Sequence, residues 1–325
     1  MIELVARSEA MREAVRLAGR VAATDANVLV TGESGAGKDA LALFLHASSP
    51  RAAGPFVRID CAALPSELLE AELFGYEKGA FTGATVAKPG RLEAAHRGTL
   101  VLDEIAHLPR DAQAKLLRVI ERREFERLGG RRTVRVDARL LALTNVDLDD
   151  AVRRRAFRED LFYRLNVVRI HVPPLRERRE DVGPLAEKFL AAYAAKHGRP
   201  ARRLDAAALA ALGLYDFPGN VRELANVVER AVIVSDGREV GASDLPEAVR
   251  AAATLGARRA RRPTLAELEA DYIREVLAAA RGNKSEAARV LGISRKNLYE
   301  RLARQQADVG RQASEVGEKP VTGGR

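Results

Sequence analysis

The sequence predicts an α/β domain with a parallel sheet, followed by an all-α subdomain and a small helical domain at the C-terminal end. Three observations lead to this fold class. Short apolar runs alternate with helical patterns over residues 1–172, which is typical of a parallel α/β sheet. The pair Pro173-Pro174 ends that alternation, and only helical patterns follow over residues 173–250. A further helical segment covers residues 264–304, after an Ala-, Gly- and Arg-rich stretch at 251–263 that predicts a linker.

Five short apolar runs predict the strands of the sheet. They are Val28–Thr31, Phe56–Asp60, Thr99–Asp103, Arg139–Thr144 and Val168–His171. Helical patterns are found at Met1–Val21, Asp39–Ala47 and Asp111–Arg122. Parallel strands need such crossover connections, so the alternation itself favours a parallel sheet.

Beyond the proline pair, helices are predicted at Asp181–Lys196, Asp205–Leu214 and Val221–Val234. The C-terminal region starts with a capping box, in which Thr264 and Glu267 satisfy free amides at a helix N-terminus. An apolar stripe follows at helical spacing, formed by Leu265, Leu268, Tyr272 and Val276. Residues 305–325 are polar and glycine-rich, and they predict a disordered tail.

The composition is that of a folded protein with a basic end. Hydrophobic residues make up 47% and charged residues 30% of the 325 residues, which fits a globular chain of two or three domains. Residues 251–325 hold 15 Lys and Arg against 9 Asp and Glu, and so carry +6 of the net charge of +9. A basic end is typical of nucleic-acid binding; the alternative is an Arg-rich, solvated surface.

The single cysteine, Cys61, excludes a disulfide within the chain and predicts a small buried thiol. Neither a signal peptide nor an uncharged apolar run long enough to span a bilayer is present. These features predict a cytoplasmic protein with no membrane partner.

A glycine-rich loop with the pattern G-x-x-x-x-G-K lies between the first strand and the next helix. It consists of Gly32, Glu33, Ser34, Gly35, Ala36, Gly37 and Lys38. In this context the backbone N–H groups cradle phosphates, and Lys38 is expected to reach the β- and γ-phosphates of ATP. The alternative is a plain glycine-rich turn. Asp39 stands where Ser or Thr usually contacts Mg²⁺, and its carboxylate could contact the metal through water.

The strand Thr99–Asp103 ends in two acids, Asp103 and Glu104. An ATPase needs one carboxylate to hold Mg²⁺ and a second to polarise the attacking water. Combined with the glycine-rich loop, the acids predict ATP hydrolysis, with Asp39, Asp103 and Glu104 as candidate metal-site residues. The alternative is a strand that ends in a solvated turn.

The segment after the second predicted strand contains the most specific motif of the chain. Its residues are Gly79, Ala80, Phe81, Thr82, Gly83 and Ala84. With this motif, residues 2–304 resemble the NtrC family of bacterial enhancer-binding proteins, AAA+ ATPases that activate sigma-54 RNA polymerase. The resemblance implies that the loop contacts sigma-54. Without it, the residues favour an ordinary turn with Phe81 in the core, although the two glycines would make the tip pliable.

The resemblance implies further functional residues. Thr144-Asn145 matches a sensor that reads the γ-phosphate, and Arg222 matches a second sensor that reaches back to the nucleotide. Arg158 and Arg164 match arginine fingers that enter the ATP site of a neighbouring subunit. Because fingers act between subunits, the resemblance implies a homo-oligomer, from a dimer to a hexameric ring. By themselves these arginines would be interpreted as solvated helix residues.

Three features depart from the family pattern. Asp60, a candidate catalytic residue, stands where Asn commonly holds the catalytic Glu, so we expect Asp60 and Glu104 to repel and one carboxyl pKa to rise. Phe217 stands where Trp is usual. The chain also begins at the ATPase domain, whereas many relatives carry a receiver or ligand-sensing domain first. Either control in trans or removal of an N-terminal part would account for this start.

Two short helices, Lys284–Leu291 and Ser294–Ala303, are predicted around Gly292 and resemble the Fis-type helix-turn-helix. The expected core consists of Ala288, Leu291, Ile293, Leu298 and Leu302. The side chains expected at double-stranded DNA are Lys284, Ser294, Arg295, Lys296, Asn297, Tyr299 and Arg301. The alternative is a helical hairpin with solvated arginines. Pairing of the Thr264–Ala280 helix with its twin would make the upstream DNA site palindromic.

Three functions compete at this point. The first is an ATP-driven activator that binds upstream DNA and remodels the closed complex of sigma-54 RNA polymerase. The second is a ring ATPase that remodels other proteins, with an incidental helical tail. The third is a DNA-binding architectural protein with an inactive ATPase, a possibility suggested by Asp39 and Asp60.

Overall fold

The computed structural model describes residues 4–200, 203–260 and 264–302. The chain divides into two compact units, Met1–Ala253 and Thr254–Arg325, and each is described by itself. The predicted tail at 305–325 lies outside the described residues. Within the described ranges, every helix is too short or too polar to cross a membrane.

The first unit is built around a parallel sheet. Its strands are β1 (Val28–Thr31), β2 (Phe56–Asp60), β3 (Thr99–Asp103), β4 (Arg139–Thr144) and β5 (Val168–His171). They lie in the order β2-β3-β4-β1-β5, and all neighbours are parallel. All five strands are confirmed at their predicted bounds.

Helices pack against both faces of the sheet. They are α1 (Glu9–Ala22), α2 (Lys38–Ala47), α3 (Ser66–Phe74), α4 (Arg91–Ala94), α5 (Arg110–Arg122), α6 (Leu148–Arg153) and α7 (Glu159–Leu165). Within β1, Leu29 belongs to one buried cluster, whereas Val28 and Val30 belong to another. Successive side chains of a strand point to opposite faces, so the sheet is covered on both sides. This burial explains why the three central strands, β3, β4 and β1, are almost entirely buried, whereas the edge strands β2 and β5 each include an exposed arginine.

Three two-stranded ladders complete the β-structure of the described ranges. They join Gly75–Tyr76 with Lys88–Pro89, Glu124–Glu126 with Thr133–Arg135, and Arg203–Leu204 with Glu239–Val240. The first two lie in the connections on either side of β3, and the third lies in the helical subdomain. They were not predicted, because two- and three-residue strands are too short to show a periodic pattern.

A helical subdomain follows the sheet within the first unit. It contains α8 (Val182–His197), α9 (Ala206–Leu214), α10 (Asn220–Val234) and the start of α11 (Glu247–Ala260). Residues 251–260 of the predicted linker are helical, as part of α11, and residues 261–263 lie outside the described residues. The stretch has no apolar period, but alanine and arginine have high helix propensity and the first proline comes only at Pro263.

The second unit contains α12 (Leu265–Ala279), α13 (Lys284–Val290) and a helical stretch at residues 295–302. The capping box of Thr264 and Glu267 is confirmed. All five predicted core residues lie in one hydrophobic cluster, together with Ile273 and Val276 of α12. Of the predicted stripe on α12, only Val276 is buried, and the side chains of Leu265, Leu268 and Tyr272 are exposed.

Candidate nucleotide site

The glycine-rich loop leaves β1 and ends at the N-terminus of α2. Gly32, Gly35 and Gly37 have φ angles of 152°, 72° and 103°, a region that favours glycine. A Cβ on Gly35 would also lie 2.4 Å from the carbonyl oxygen of Gly219 in the helical subdomain. These positions therefore require glycine, both for the curved backbone that can surround phosphates and for contact with the subdomain.

Lys38 is buried beneath this loop. Its Nζ donates hydrogen bonds to the carbonyl oxygens of Gly32 at 2.9 Å and Glu33 at 3.2 Å. Glu104 Oε1 lies 3.9 Å from the same Nζ. Burial lowers the pKa of Lys38, and the nearby carboxylates of Glu104, Asp103 and Asp39 oppose that shift. The ammonium group is therefore already aimed at the space that the loop encloses.

Glu104 follows β3 in a left-handed conformation, with φ of 49°. Its Oε2 accepts a hydrogen bond from the backbone N–H of Asn145 at 3.3 Å. Asn145, the predicted sensor residue at the end of β4, thus orients the predicted catalytic carboxylate of Glu104 through its backbone N–H. Asn145 as a whole is exposed.

Asp39 and Asp103 are brought together by an arginine that was not predicted. Arg58 of β2 donates a hydrogen bond to Asp103 Oδ2, and its Nη2 also lies 3.1 Å from Asp39 Oδ1. That oxygen of Asp39 is buried and has no partner in hydrogen-bond geometry. Burial raises the pKa of Asp39, Arg58 lowers it, and the charge of Asp103 raises it.

This pair of carboxylates fits a magnesium ion. Mg²⁺ prefers oxygen ligands and is usually held by one or two carboxylates plus phosphates and water, so a cage made only of protein is not needed. In the described ranges, no three His, Cys, Asp or Glu side chains form such a cage. Asp39 and Asp103 supply two carboxylates, and the orphaned Asp39 Oδ1 is an available ligand.

The carboxylates of Asp60 and Glu104, which we expected to face each other, are each bound by other groups. Asp60 is exposed at the end of β2, and its Oδ1 accepts a hydrogen bond from the backbone N–H of Ala62 at 2.9 Å. Glu104 is directed towards Asn145 and Lys38 instead. Local capping of the turn after β2 therefore takes up the Asp60 carboxylate, because an aspartate readily binds the amide two residues ahead.

The helical subdomain contacts the loop through side chains at the start of α10. Arg222 Nη1 donates a hydrogen bond to Ser34 Oγ at 3.1 Å, so the predicted second sensor does face the loop. The buried Asn220 was missed. Its Nδ2 donates to Ser34 O at 3.0 Å and to Glu33 Oε2 at 3.1 Å, and its Oδ1 accepts from the N–H of Leu175 at 2.8 Å.

Two further arginines reach the loop from the segment before α8. Arg176 binds Glu33 through two hydrogen bonds, at 2.8 and 2.6 Å. This contact and the one from Asn220 lower the pKa of Glu33 to about 2. Arg178 is buried and donates to the carbonyl oxygen of Ala36, while burial lowers its own pKa. Neither arginine shows a periodic signal in the sequence, since both lie in an arginine-rich run.

The two candidate finger arginines are paired within the chain. Arg158 binds Asp160 through Nε at 3.0 Å and Nη2 at 2.7 Å. Arg164 Nη2 lies 3.2 Å from Glu121 Oε1. The side chain of Arg164 is well exposed and that of Arg158 is about one-third exposed, so both ion pairs are open to water and weak enough to exchange partners.

The predicted contact loop has an exposed tip. Phe81 is 42% exposed, and its ring meets that of Tyr76 edge-on, with 4.9 Å between centroids. The N–H of Gly79 donates to Ala84 O at 2.8 Å, which closes the base of the loop. The core placement that residues alone favoured for Phe81 was therefore wrong.

In the second unit, the Ser294 cap is confirmed by a 3.2 Å hydrogen bond from the N–H of Asn297 to Ser294 Oγ. Residues that remain exposed are Lys284, Ser294, Arg295, Lys296 and Tyr299. Arg301 was expected at DNA, but it forms an ion pair with Glu269 of α12 and donates to Asn297 Oδ1 at 2.9 Å. Its position one helical turn after Asn297 and beside an acidic residue of α12 explains this pairing.

Three family models match the chain over nearly all of the described ranges. The Sigma-54 interaction domain matches residues 4–171, the AAA+ ATPase lid domain matches 176–261, and the Fis-family bacterial regulatory protein matches 264–304.

Curated relatives and solved structures agree with these matches. The regulatory protein AtoC of Escherichia coli is 44% identical over 92% of this chain and 67% of its own length. The transcriptional regulatory protein FlbD of Caulobacter vibrioides is 45% identical over 94% of this chain and 71% of its own length. Crystal structures of NtrX from Brucella abortus with ATP and with ADP superpose with TM-scores of 0.69 and 0.70, at 39% and 37% identity. They align with 93% and 94% of this chain, and in both cases with 69% of the NtrX chain.

Proposed function

The chain belongs to the sigma-54-dependent transcriptional activators, and from that membership we propose that ATP turnover at the Lys38 site moves the loop of residues 79–84 against sigma-54. It is an AAA+ ATPase joined to a lid and to a Fis-type DNA-binding domain. The observation that carries the proposal is the exposed tip of the loop, where Phe81 and Thr82 face solvent and are free to meet a partner.

Nucleotide binding is assigned to the glycine-rich loop and Lys38. The loop amides and the N-terminus of α2 would hold the phosphates, and Lys38 would exchange the carbonyl oxygens of Gly32 and Glu33 for β- and γ-phosphate oxygens. Arg222 lies on Ser34 of the same loop and would turn to the phosphates from the lid.

Hydrolysis is assigned to the carboxylates at the end of β3. Glu104, oriented by the N–H of Asn145, would polarise the attacking water and take up its proton. Asp103 and Asp39 would hold Mg²⁺, which when bound neutralises charge on the phosphates. Asp60 stays on the turn after β2, where it fixes the end of the strand beside Asp103.

Completion of the site is assigned to a neighbouring subunit in a ring. Arg158 and Arg164 have exposed ion pairs that a phosphate could replace, because a guanidinium binds phosphate in the same bidentate manner as carboxylate. An arginine supplied in this way is worth roughly 10³–10⁵ in rate in related nucleotide hydrolases. ATPase activity should therefore rise steeply with protein concentration, and Arg158→Ala should suppress it without preventing ATP binding.

DNA binding is assigned to the exposed face of the second unit. Arg295 and Lys296 begin its last helix and would contact base edges or phosphates, with Lys284, Ser294, Asn297 and Tyr299 beside them. The exposed Leu265, Leu268 and Tyr272 of α12 would pair with a second copy, which makes the DNA site palindromic. A footprint that covered only one half-site would contradict this pairing. Because the proposed function is exercised on promoter DNA, the protein would act in the cytoplasm.

In vitro transcription from a sigma-54 promoter tests the proposal. Thr82→Ala should abolish activation and leave ATP hydrolysis near the wild-type rate, because Thr82 is exposed on the loop. Lys38→Ala should abolish both activities, and Thr85→Ala, just outside the motif, serves as the matched control. Normal activation by Thr82→Ala would refute the role of the loop.

A further inference from the structure

The position of Arg58 on its strand directs it to the carboxylates of the nucleotide site. Arg58 and Asp60 are two residues apart on β2, so their side chains leave the same face of the sheet. In the register of the two strands, Asp60 lies opposite Asp103, and Arg58 lies opposite Val101. The Arg58 side chain therefore runs along the strand towards the edge where the carboxylates meet, and its guanidinium contacts both Asp103 and Asp39.

Both oxygens of Asp103 are occupied in this arrangement. Oδ1 accepts the backbone N–H of Glu104 at 3.0 Å, and Oδ2 accepts Arg58. The guanidinium also stands 3.1 Å from the buried Oδ1 of Asp39. Arg58 uses a lone pair of Asp103 Oδ2, and its positive charge stands in the space beside Asp39 Oδ1 that a metal ion bound to both carboxylates would need. Metal and arginine thus compete for one place.

Arg58 is the partner that can leave. Its side chain is 44% exposed, whereas that of Asp103 is 11% exposed, and the backbone amide of Glu104 is fixed by the turn after β3. A flexible, half-solvated guanidinium regains water when it moves away, so its displacement is cheap compared with breaking the backbone contact.

We infer that Arg58 is a tethered cation that holds Asp39 and Asp103 together in the metal-free chain and that Mg²⁺ must displace to bind. The inference rests on the proposed role of these two aspartates as magnesium ligands. Arg58 is a positioning residue here: without a metal it reduces the repulsion between the buried carboxylate of Asp103 and the half-exposed carboxylate of Asp39. The cost is a higher concentration of divalent metal needed to load the site.

The test is a metal titration of the full chain with a non-hydrolysable ATP analogue, kept below the protein concentration so that free nucleotide takes up little metal. Mn²⁺ replaces Mg²⁺, and its free concentration is read from its electron paramagnetic resonance signal. Arg58→Gln keeps the length but loses the charge, and its Mn²⁺ dissociation constant should fall about tenfold, which corresponds to 1.4 kcal/mol. Arg58→Lys should stay within about threefold of wild type, because it keeps the charge.

The matched control is Arg203→Gln, another exposed arginine whose partner, Glu239, lies in the helical subdomain. Its dissociation constant should equal that of the wild type. A dissociation constant for Arg58→Gln that is unchanged or higher, or one shared by Arg58→Lys and Arg58→Gln, overturns the inference.

A second variant separates this inference from the proposed metal site. Asp103→Asn should weaken Mn²⁺ binding strongly. If Asp103→Asn binds Mn²⁺ like the wild type, the assignment of the metal ligands fails, and the role of Arg58 fails with it. If Asp103→Asn weakens binding while Arg58→Gln leaves it unchanged, only the tethered-cation inference is wrong. Melting temperatures measured in EDTA test the role of Arg58 without any bound metal. Under these conditions Arg58→Gln should melt at a lower temperature than both the wild type and Arg203→Gln, because it loses the charge that offsets the repulsion between Asp39 and Asp103.

Discussion

Replacement of Asn220 by alanine should uncouple the lid from the glycine-rich loop at a calculable cost. The side chain is fully buried and makes three hydrogen bonds, to Leu175 N–H, to Ser34 O and to the carboxylate of Glu33. At about 1 kcal/mol for each lost bond, the free energy of unfolding falls by about 3 kcal/mol. Asn220 also has φ of 54°, which asparagine tolerates better than alanine, and this adds about 1 kcal/mol.

The expected loss is therefore about 4 kcal/mol for Asn220→Ala, and about 1 kcal/mol less for Asn220→Gly, which accepts the left-handed backbone. Urea unfolding followed by far-ultraviolet circular dichroism measures the loss, and hydrogen exchange at the Leu175 amide locates it. Asn27→Ala is the control, since Asn27 makes one hydrogen bond, to Arg164 O, in a partly exposed position. A loss no larger than that of Asn27→Ala, or protection retained at Leu175, would refute the coupling role of Asn220.

Three shorter predictions follow from the same structure. The pKa of Glu33 is lowered to about 2, so its ion pair with Arg176 stabilises the fold fully above pH 4.5. This stabilisation is lost as the pH falls from 4.5 towards 2, because the carboxylate becomes protonated. The difference in unfolding free energy between wild type and Glu33→Gln, measured as a function of pH, should therefore vanish between pH 4.5 and pH 2. Burial raises the pKa of Cys61 to about 12, so a thiol reagent at pH 8 should modify it only in urea, and rapid labelling of the native chain would contradict this. Gly129 has φ of 68°, and a Cβ at this position would lie 2.8 Å from the Cβ of Ala80 in the contact loop. Gly129→Ala should therefore displace the loop and reduce transcription activation, while ATPase activity persists. Activation equal to that of the wild type would show that the loop tolerates the shift.

The sequence predicted most of the fold because the fold depends on burial, which leaves a pattern. Each run such as Thr99–Asp103 is apolar because both faces of the sheet are covered, and its ends are marked by polar residues. The helix over residues 251–260 was not predicted because this stretch has no apolar period, and the buried core contact of its helix is made earlier, by Val249.

The candidate site was predictable only where chemistry fixes the spacing along the chain. The glycine-rich loop and Lys38 form one continuous motif, so they were found without knowledge of the fold. Arg58 and Asn220 act through partners that are distant in sequence, and their roles depend on strand register and on the position of the lid. The signal available for Arg58 was a charge inside an apolar strand, on the same face as Asp60.

The glycine-rich loop is held from two sides, and this explains how one nucleotide can influence both halves of the ATPase unit. From the sheet side, Lys38 binds the carbonyl oxygens of Gly32 and Glu33. From the lid side, Arg222 binds the Ser34 hydroxyl and Arg176 binds the Glu33 carboxylate. Phosphates attract the cations from both sides, so ATP must loosen contacts to the sheet and to the lid at once. We therefore expect lid position and Lys38 contacts to change together, because a loop released from only one side would stay fixed by the other.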